Sequence, residues 1–174
     1  TIMNYDAFMD PVSYFFTGME KHSDSFRGDL YNNGSAFANA MVQKMARMPR
    51  QSLFTSMNEL SNHDHSRFLT RTNMTCARVN TKGSESAYDN INIDIMKEAV
   101  LMPFTWVGSP TVYYGDEAGV VGWTDPDNRR TYPWGHENKD LINFHKEVIS
   151  LRKKYKQFSE GSTMFLNEDT GIIS

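Results

Sequence analysis

The chain has 174 residues, 39% hydrophobic and 22% charged, and 18 basic against 21 acidic side chains leave a formal net charge of −3. This length fits one domain plus a short addition and suffices for a sizeable core. Mild acidity without a Lys/Arg block excludes a nucleic-acid footprint, no apolar run approaches the ~18 residues of a membrane span, and the single Cys76 can form neither an intrachain disulfide nor a thiolate metal centre.

The chain opens directly into the strand-like Thr1-Ile2-Met3-Asn4-Tyr5, with neither a signal peptide nor a starting methionine, and stops inside the apolar run Gly171-Ile172-Ile173-Ser174. It therefore reads as a segment of a longer protein, with a cytoplasmic setting favoured over a secreted or periplasmic one. A strand over about 2–8 is expected to feed a helix over about 11–22, Asp10 capping it and Pro11 taking its first position, with Val12, Phe15, Phe16 and Met19 at helical spacing. After a polar loop, Phe37, Met41, Met45 and Met48 form a second helical stripe that Pro49 stops. Ser52-Leu53-Phe54-Thr55-Ser56-Met57 suits a buried strand.

From Ser84 or Ser86 a third helix is expected to run to about Met102, with Ile91, Ile95, Ala99 and Met102 on one face. Gly108-Ser109-Pro110 breaks the chain before a strand at Thr111-Val112-Tyr113-Tyr114, and a Gly/Asp/Pro/Arg loop follows from Gly115 to about Glu137. Leu141, Phe144, Val148, Leu151 and Tyr155 mark the last helix, with Asn138 as its cap. Its closing run Arg152-Lys153-Lys154-Tyr155-Lys156 reads as a solvated last turn complementing the helix dipole. Ser162 to Leu166 is extended, and Asn167 to Gly171 turns the chain back. The order βα, βα, βα, then β implies a parallel sheet covered by helices; three units cannot close an eight-stranded barrel but can form part of one.

In such folds functional groups gather at the carboxyl ends of strands. Two polar stretches lie there: Asn58 to Arg67, with Glu59, His63, Asp64, His65 and Arg67, and Gly115 to Trp134, with Asp116, Glu117, Asp125, Asp127, Arg129 and Arg130. Carboxylates facing each other across a cleft suit glycoside hydrolysis. His63 and His65 also permit a metal reading, although alternate residues of an extended chain point to opposite faces and no further ligand cluster completes a site.

Asn62-His63-Asp64 followed by Arg67, together with Gly108-Ser109-Pro110-Thr111-Val112-Tyr113-Tyr114-Gly115-Asp116-Glu117, resembles the final third of an α-amylase-type glycoside hydrolase barrel. Asp125-Pro126-Asp127-Asn128-Arg129-Arg130-Thr131-Tyr132-Pro133-Trp134 further resembles the neopullulanase, cyclomaltodextrinase and maltogenic amylase branch. The resemblance implies an α/β fold, the C-terminal part of a (β/α)8 barrel at about strands six to eight over residues 1–158, and the start of a C-terminal β-domain over residues 159–174. It implies a retaining glycosidase acting on α-1,4 glucosidic bonds of starch, pullulan, cyclodextrins or maltooligosaccharides, with α-1,6 cleavage left open, whose nucleophile and general acid precede Thr1.

Asp64 is then the third essential acid, bonding the hydroxyls of a distorted sugar and helping to keep the neighbouring acid protonated. His63 donates to the same sugar, and Asp125 and Arg129 bind sugars on the non-reducing side of the cut. Glu117 belongs to loop structure, while Trp123 and Trp134 offer either sugar-stacking faces or loop packing. His65 replaces the more usual threonine. No metal or other cofactor is expected in this segment, with calcium left to other parts of the full-length protein; the expected partners are the α-glucan, the rest of the barrel and a second copy in a homo-oligomer. Two readings stand beside this one: a non-catalytic amylase-fold or transporter-associated domain, against which the retained His63 and Asp64 argue, and a metal hydrolase using His63 and His65.

Overall fold

The computed structural model describes residues 2–174; Thr1, at the head of the first expected strand, lies outside the described residues. A π-helical turn, Tyr5–Met9, runs straight into α1 (Asp10–Thr17). The remaining elements, in chain order, are α2 (Gly34–Ala46), α3 (Arg50–Thr55), β1 (Met57–Asn58), α4 (Phe68–Arg71), α5 (Val79–Lys82), α6 (Ile93–Thr105), β2 (Ser109–Pro110), α7 (Lys139–Lys154), α8 (Gln157–Glu160), β3 (Glu168–Asp169) and β4 (Ile172–Ile173).

Three extended segments lie side by side and parallel. Met3 bridges to Met57, with Met57 N–H donating to Ile2 O at 2.8 Å and Asn4 N–H to Met57 O at 3.0 Å. β1 pairs with β2 in the register Met57 to Ser109 and Asn58 to Pro110. Ser109 and Thr111 supply the N–H groups across this second pair, at 2.8 and 2.9 Å, so Pro110 falls at the alternate position where its missing N–H costs no bond within the pair. A buried polar ladder crosses the same three segments: Asn4 Nδ2 donates to Asn58 Oδ1 at 2.8 Å, and Asn58 Nδ2 to Val107 O at 2.8 Å.

Helices cover the strands, α6 packing against both α1 and α7, and α1 against α2. The core is contiguous through Phe8, Val12, Phe15, Phe37, Met41, Phe68, Leu69, Met96, Val100, Trp123, Leu141 and Val148. Fully burying a side chain of this kind contributes about 1.5–3 kcal/mol. Arg71, also fully buried, donates to Ser13 Oγ at 2.8 Å and to Leu60 O, tying α1 to the chain just past β1. Burial pulls its guanidinium down to about 10.

Several elements differ from the sequence expectations. The first strand contracts to a single bridge, because the backbone turns helical at Tyr5 and the Asp10 side chain, instead of capping, pairs with Lys21 at 3.1 Å. Ser52 to Thr55 is helical, not extended: Thr55 and Ser56 hydroxyls donate to the Gln51 and Ser52 carbonyls, and only Met57 and Asn58 enter the sheet. Short apolar runs suit either state, and Pro49 caps the helical one here.

The third helix begins at Ile93, not Ser84 or Ser86, since Asn92 Oδ1 accepts from Asp94 and Ile95 N–H; the preceding Glu85–Tyr88 is a separate 3-10 turn. Covered from two sides, α6 buries Met96, Ala99, Val100, Pro103 and Phe104, with Ile95 and Met102 flanking. The expected strand at Thr111 to Tyr114 lies one step early, on the supposed breaker, because Gly108 takes φ +124° and lets the chain pass against Asn58. In α7, His145 replaces Phe144 as a buried residue and donates from Nδ1 to Leu141 O at 2.8 Å, given the carbonyl acceptor, while Leu151 and Tyr155 are exposed.

Arg152 is not a solvated last-turn charge. Its guanidinium donates to the carbonyls of Phe104, Trp106 and Gly108 at 2.8, 3.2 and 2.8 Å, satisfying the acceptors left where α6 ends and β2 begins. At the far end β3 and β4 form an antiparallel hairpin that closes on the start of α2, where Gly34 leaves no room for a Cβ: one would lie 2.5 Å from Asp169 O.

Gly108→Ala is expected to destabilise the protein, because its Cβ would lie 2.6 Å from Asn58 Nδ2 on a backbone at φ +124°. A loss on the order of 1–3 kcal/mol is anticipated for strain of this kind, read as a lower midpoint in urea unfolding; an unchanged midpoint would remove the Asn58 ladder from the account of the sheet.

Candidate functional site

Immediately beyond β1 the chain folds into a tight turn held by one side chain. Asn62 Oδ1 accepts from the Asp64 and His65 N–H groups at 2.9 and 3.1 Å, the local bonding for which short amide side chains are favoured in turns. With its oxygen so engaged, the amide nitrogen is fixed in the opposite direction, and it donates to Glu59 Oε1 and to Tyr5 Oη, both at 3.0 Å. Asn62 and Glu59 are each 2% exposed. From the outer side, Asn128 Nδ2 donates to Asn62 O at 3.0 Å and His65 O at 2.7 Å.

This turn presents the two predicted residues to solvent. His63 Nε2 and Asp64 Oδ1 lie 3.4 Å apart, with side chains about half exposed. Arg129 joins them from the second loop: its Nε donates to His63 O at 3.0 Å, and its terminal nitrogen meets Asp125 Oδ1 at 2.8 Å. All four residues selected from the sequence, Asp64, His63, Asp125 and Arg129, thus share one open polar face at the carboxyl ends of the parallel strands.

The other acidic residues sort differently. Asp116 is buried against Arg67, 2.9 Å from its Nη1, and Glu117 Oε2 accepts from Gly115 N–H at 2.9 Å, which closes its own loop. Asp127 accepts from Trp123 N–H and Arg130 at 2.8 Å each, and from the Ser84 hydroxyl; these bonds outweigh its burial and hold its carboxyl below the usual range. Trp123 is fully buried, its indole N–H directed to Ser86 Oγ at 3.1 Å, so it packs the loop and offers no face to a ligand. Trp134 is 80% exposed and stacks loosely on Tyr132, with ring centroids 4.6 Å apart.

Arg67 ties the two loops together. It donates to Asn128 O at 2.8 Å, Tyr114 O at 2.6 Å and Asp116 Oδ1 at 2.9 Å, and its guanidinium lies 4.0 Å from the Tyr113 ring centre. The sequence reading did not single out Tyr5, His22 or Asn128. Nothing local marks them; their importance comes from contacts across 57, 102 and 63 residues of chain.

His65 and His63 do not share a ligand. The His65 ring is buried, edge-on to Tyr5 and to His22 with centroids 4.8 and 4.6 Å away, whereas His63 faces Asp64 in solvent. The donor pair on which the metal reading relied is therefore split between inside and outside. Thr124 Oγ1 donates its proton to Asp64 O at 2.7 Å, so His22 Nδ1, 3.0 Å from Thr124 Oγ1, donates the hydrogen in that second contact.

Burial, reinforced by Arg71, His22 and Lys21, depresses His65 to about 3. An unfolded histidine titrates near ~6.5, so between these values the unfolded chain binds the extra proton and stability falls as pH falls. Replacing His65 with Phe is expected to flatten that part of the stability profile between about pH 6.5 and 3, measured by urea unfolding across the range. An unaltered slope would show that His65 is not held neutral.

The family profile described as the α-amylase catalytic domain matches residues 4–157. The chain is 38% identical over 97% of its length to an amylopullulanase of Thermoanaerobacter thermohydrosulfuricus, of which it spans 11%. It is 33% identical over 97% of its length to neopullulanase 2 of Thermoactinomyces vulgaris, of which it spans 24%. Among solved structures, a cyclomaltodextrinase superposes on 97% of the chain with a TM-score of 0.74 and 30% identity, the chain covering 24% of it. A Nostoc punctiforme debranching enzyme, at 23% identity and a TM-score of 0.77 over 98% of the chain and 33% of its own, shares the fold. On the match across residues 4–157 and these likenesses, the chain belongs to the α-amylase catalytic-domain family, a family of (β/α)8-barrel glycoside hydrolases.

Proposed function

We propose that the chain is the C-terminal portion of a retaining α-glucan hydrolase of neopullulanase or cyclomaltodextrinase type, contributing about strands six to eight of the barrel over residues 1–158 and opening a C-terminal β-domain over 159–174. The observation that carries this reading is the half-exposed His63–Asp64 pair, held 3.4 Å apart beyond a parallel strand and joined through Arg129 to Asp125. The three parallel segments supply the matching frame, and relatives named for neopullulanase and cyclomaltodextrinase activities suggest pullulan, cyclodextrins and maltooligosaccharides as substrates.

In this reading Asp64 accepts hydrogen bonds from the hydroxyls of the sugar being cleaved and favours its distorted ring. Its negative charge raises the proton affinity of the neighbouring general acid. His63 donates a hydrogen bond that strengthens as positive charge develops on the ring. Asp125 and Arg129 hold vicinal hydroxyls of the next sugars, a geometry suited to a planar guanidinium beside a carboxylate. The nucleophile and general acid come from earlier strands of the barrel. Trp134, exposed on the same loop, provides an apolar ring face for stacking against a glucose unit.

Two experiments test this reading. In the complete barrel, Asp64→Asn is expected to lower kcat on the order of 10³-fold or more with a much smaller change in KM, because only interactions stronger in the transition state speed the chemical step. Arg129→Ala should leave a short activated glucoside nearly unaffected and weaken longer maltooligosaccharides by on the order of 1–3 kcal/mol. Near-normal kcat for Asp64→Asn on both substrates would make Asp64 a structural residue and end the proposal. Separately, the 174-residue segment alone should not turn over maltooligosaccharides or cyclodextrins; activity that survives purification and depends on a residue within it would place the nucleophile here.

A further inference from the structure

Glu59 has no part in the chemistry assigned above, yet it is a buried carboxylate, 2% exposed, immediately after β1. An acidic side chain is seldom buried without a partner, since desolvation disfavours its charge. Among the described residues the Glu59 carboxylate has one hydrogen-bond partner, accepting from Asn62 Nδ2 at 3.0 Å. Burial raises its carboxyl above the usual range, with Asp116 and Asp64 adding to the effect against the Asn62 bond.

Asn62 is the single side chain whose oxygen receives the Asp64 and His65 N–H groups. Its amide nitrogen has two acceptors, Tyr5 Oη and Glu59 Oε1. Of these, Tyr5 sits at the start of the first helical turn, while Glu59 rises from the same strand end as Asn62, three residues earlier. Without Glu59 the amide nitrogen keeps Tyr5 Oη as its acceptor but loses the one that rises from its own strand end, which loosens the hold that aims the amide oxygen at the two backbone N–H groups. The consequence falls on the aim of the Asp64 carboxylate.

We propose that Glu59 is a positioning residue: by holding the Asn62 amide it fixes the turn that presents Asp64 to the bound sugar. This rests on the reading of Asp64 as the acid that contacts the cleaved sugar. Because Glu59 acts as an acceptor, glutamine of the same length replaces it, whereas aspartate, one methylene shorter, cannot reach Asn62 from the same backbone.

The test is carried out in the complete barrel with Glu59→Gln, Glu59→Asp and Glu59→Leu on maltotriose, with Asp64→Asn alongside. Glu59→Leu and Glu59→Asp are expected to lose about 10- to 100-fold in kcat with KM within about twofold, as loss of a buried hydrogen-bond anchor would give. Glu59→Gln should retain kcat within about threefold of the parent, a rescue that a packing role would not separate from leucine of similar bulk. Parent-like kcat in Glu59→Asp overturns the proposal, as does an equal loss in Glu59→Gln. If Glu59→Leu does not fold, the Asp and Gln pair decides. Amide hydrogen exchange at Asp64 and His65, faster in Glu59→Asp than in Glu59→Gln, reads the turn directly; equal rates also overturn it. Full activity in Asp64→Asn, with this exchange difference intact, would instead identify the role of Asp64 as the failed step.

Discussion

A guanidinium with no exposure to solvent, Arg67, is the contact on which the arrangement beyond the strands depends. It lies in the chain that follows β1 and engages three groups of the chain that follows β2: the carboxylate of Asp116 and the carbonyls of Tyr114 and Asn128. A buried charge with these partners removed is left uncompensated, a cost of about 3–5 kcal/mol, so the two loops are bound to a common geometry. Tyr113 and Tyr114 close over the guanidinium plane at 4.0 and 4.8 Å and keep water from competing for it.

From that fixed point the polar network reaches the surface in two steps. Arg67 donates its third bond to the Asn128 carbonyl, and the Asn128 amide turns back to donate to the carbonyls of Asn62 and His65. Asn62 then sets the amides of Asp64 and His65. The exposed pair therefore rests on side chains that are themselves buried and bonded, the condition under which a catalytic group keeps its aim. Arg129 and Asp125 arrive on the same face because the 3-10 turn that carries Arg129 is anchored one residue earlier by Asn128.

At the opposite end of the parallel strands, the junction between α6 and β2 shows the same economy of means. Arg152, from α7, collects carbonyls at the end of α6 and at Gly108, so α7 fixes the entry of β2. That entry also needs Gly108 beside Asn58. A displacement here would move Thr111 to Tyr114, and through the Tyr114 carbonyl would reach Arg67.

The sequence by itself determined the alternation of strand and helix and the capping residue Asn138; its motifs also picked out the four residues His63, Asp64, Asp125 and Arg129. These were legible because a helical stripe and an amide cap are local, and because motif residues keep their spacing along the chain. Tertiary structure decided the rest. Whether Ser52 to Thr55 became helix or strand depended on hydroxyl back-bonds and on where Met57 met its neighbours, and the position of β2 depended on the space at Gly108. The division of the acids into exposed Asp64 and Asp125 and enclosed Glu59, Asp116 and Asp127 followed from partners of the enclosed three lying 3 to 49 residues away. A carboxylate's surroundings are set by which loops close over it, and no periodicity along the chain encodes that.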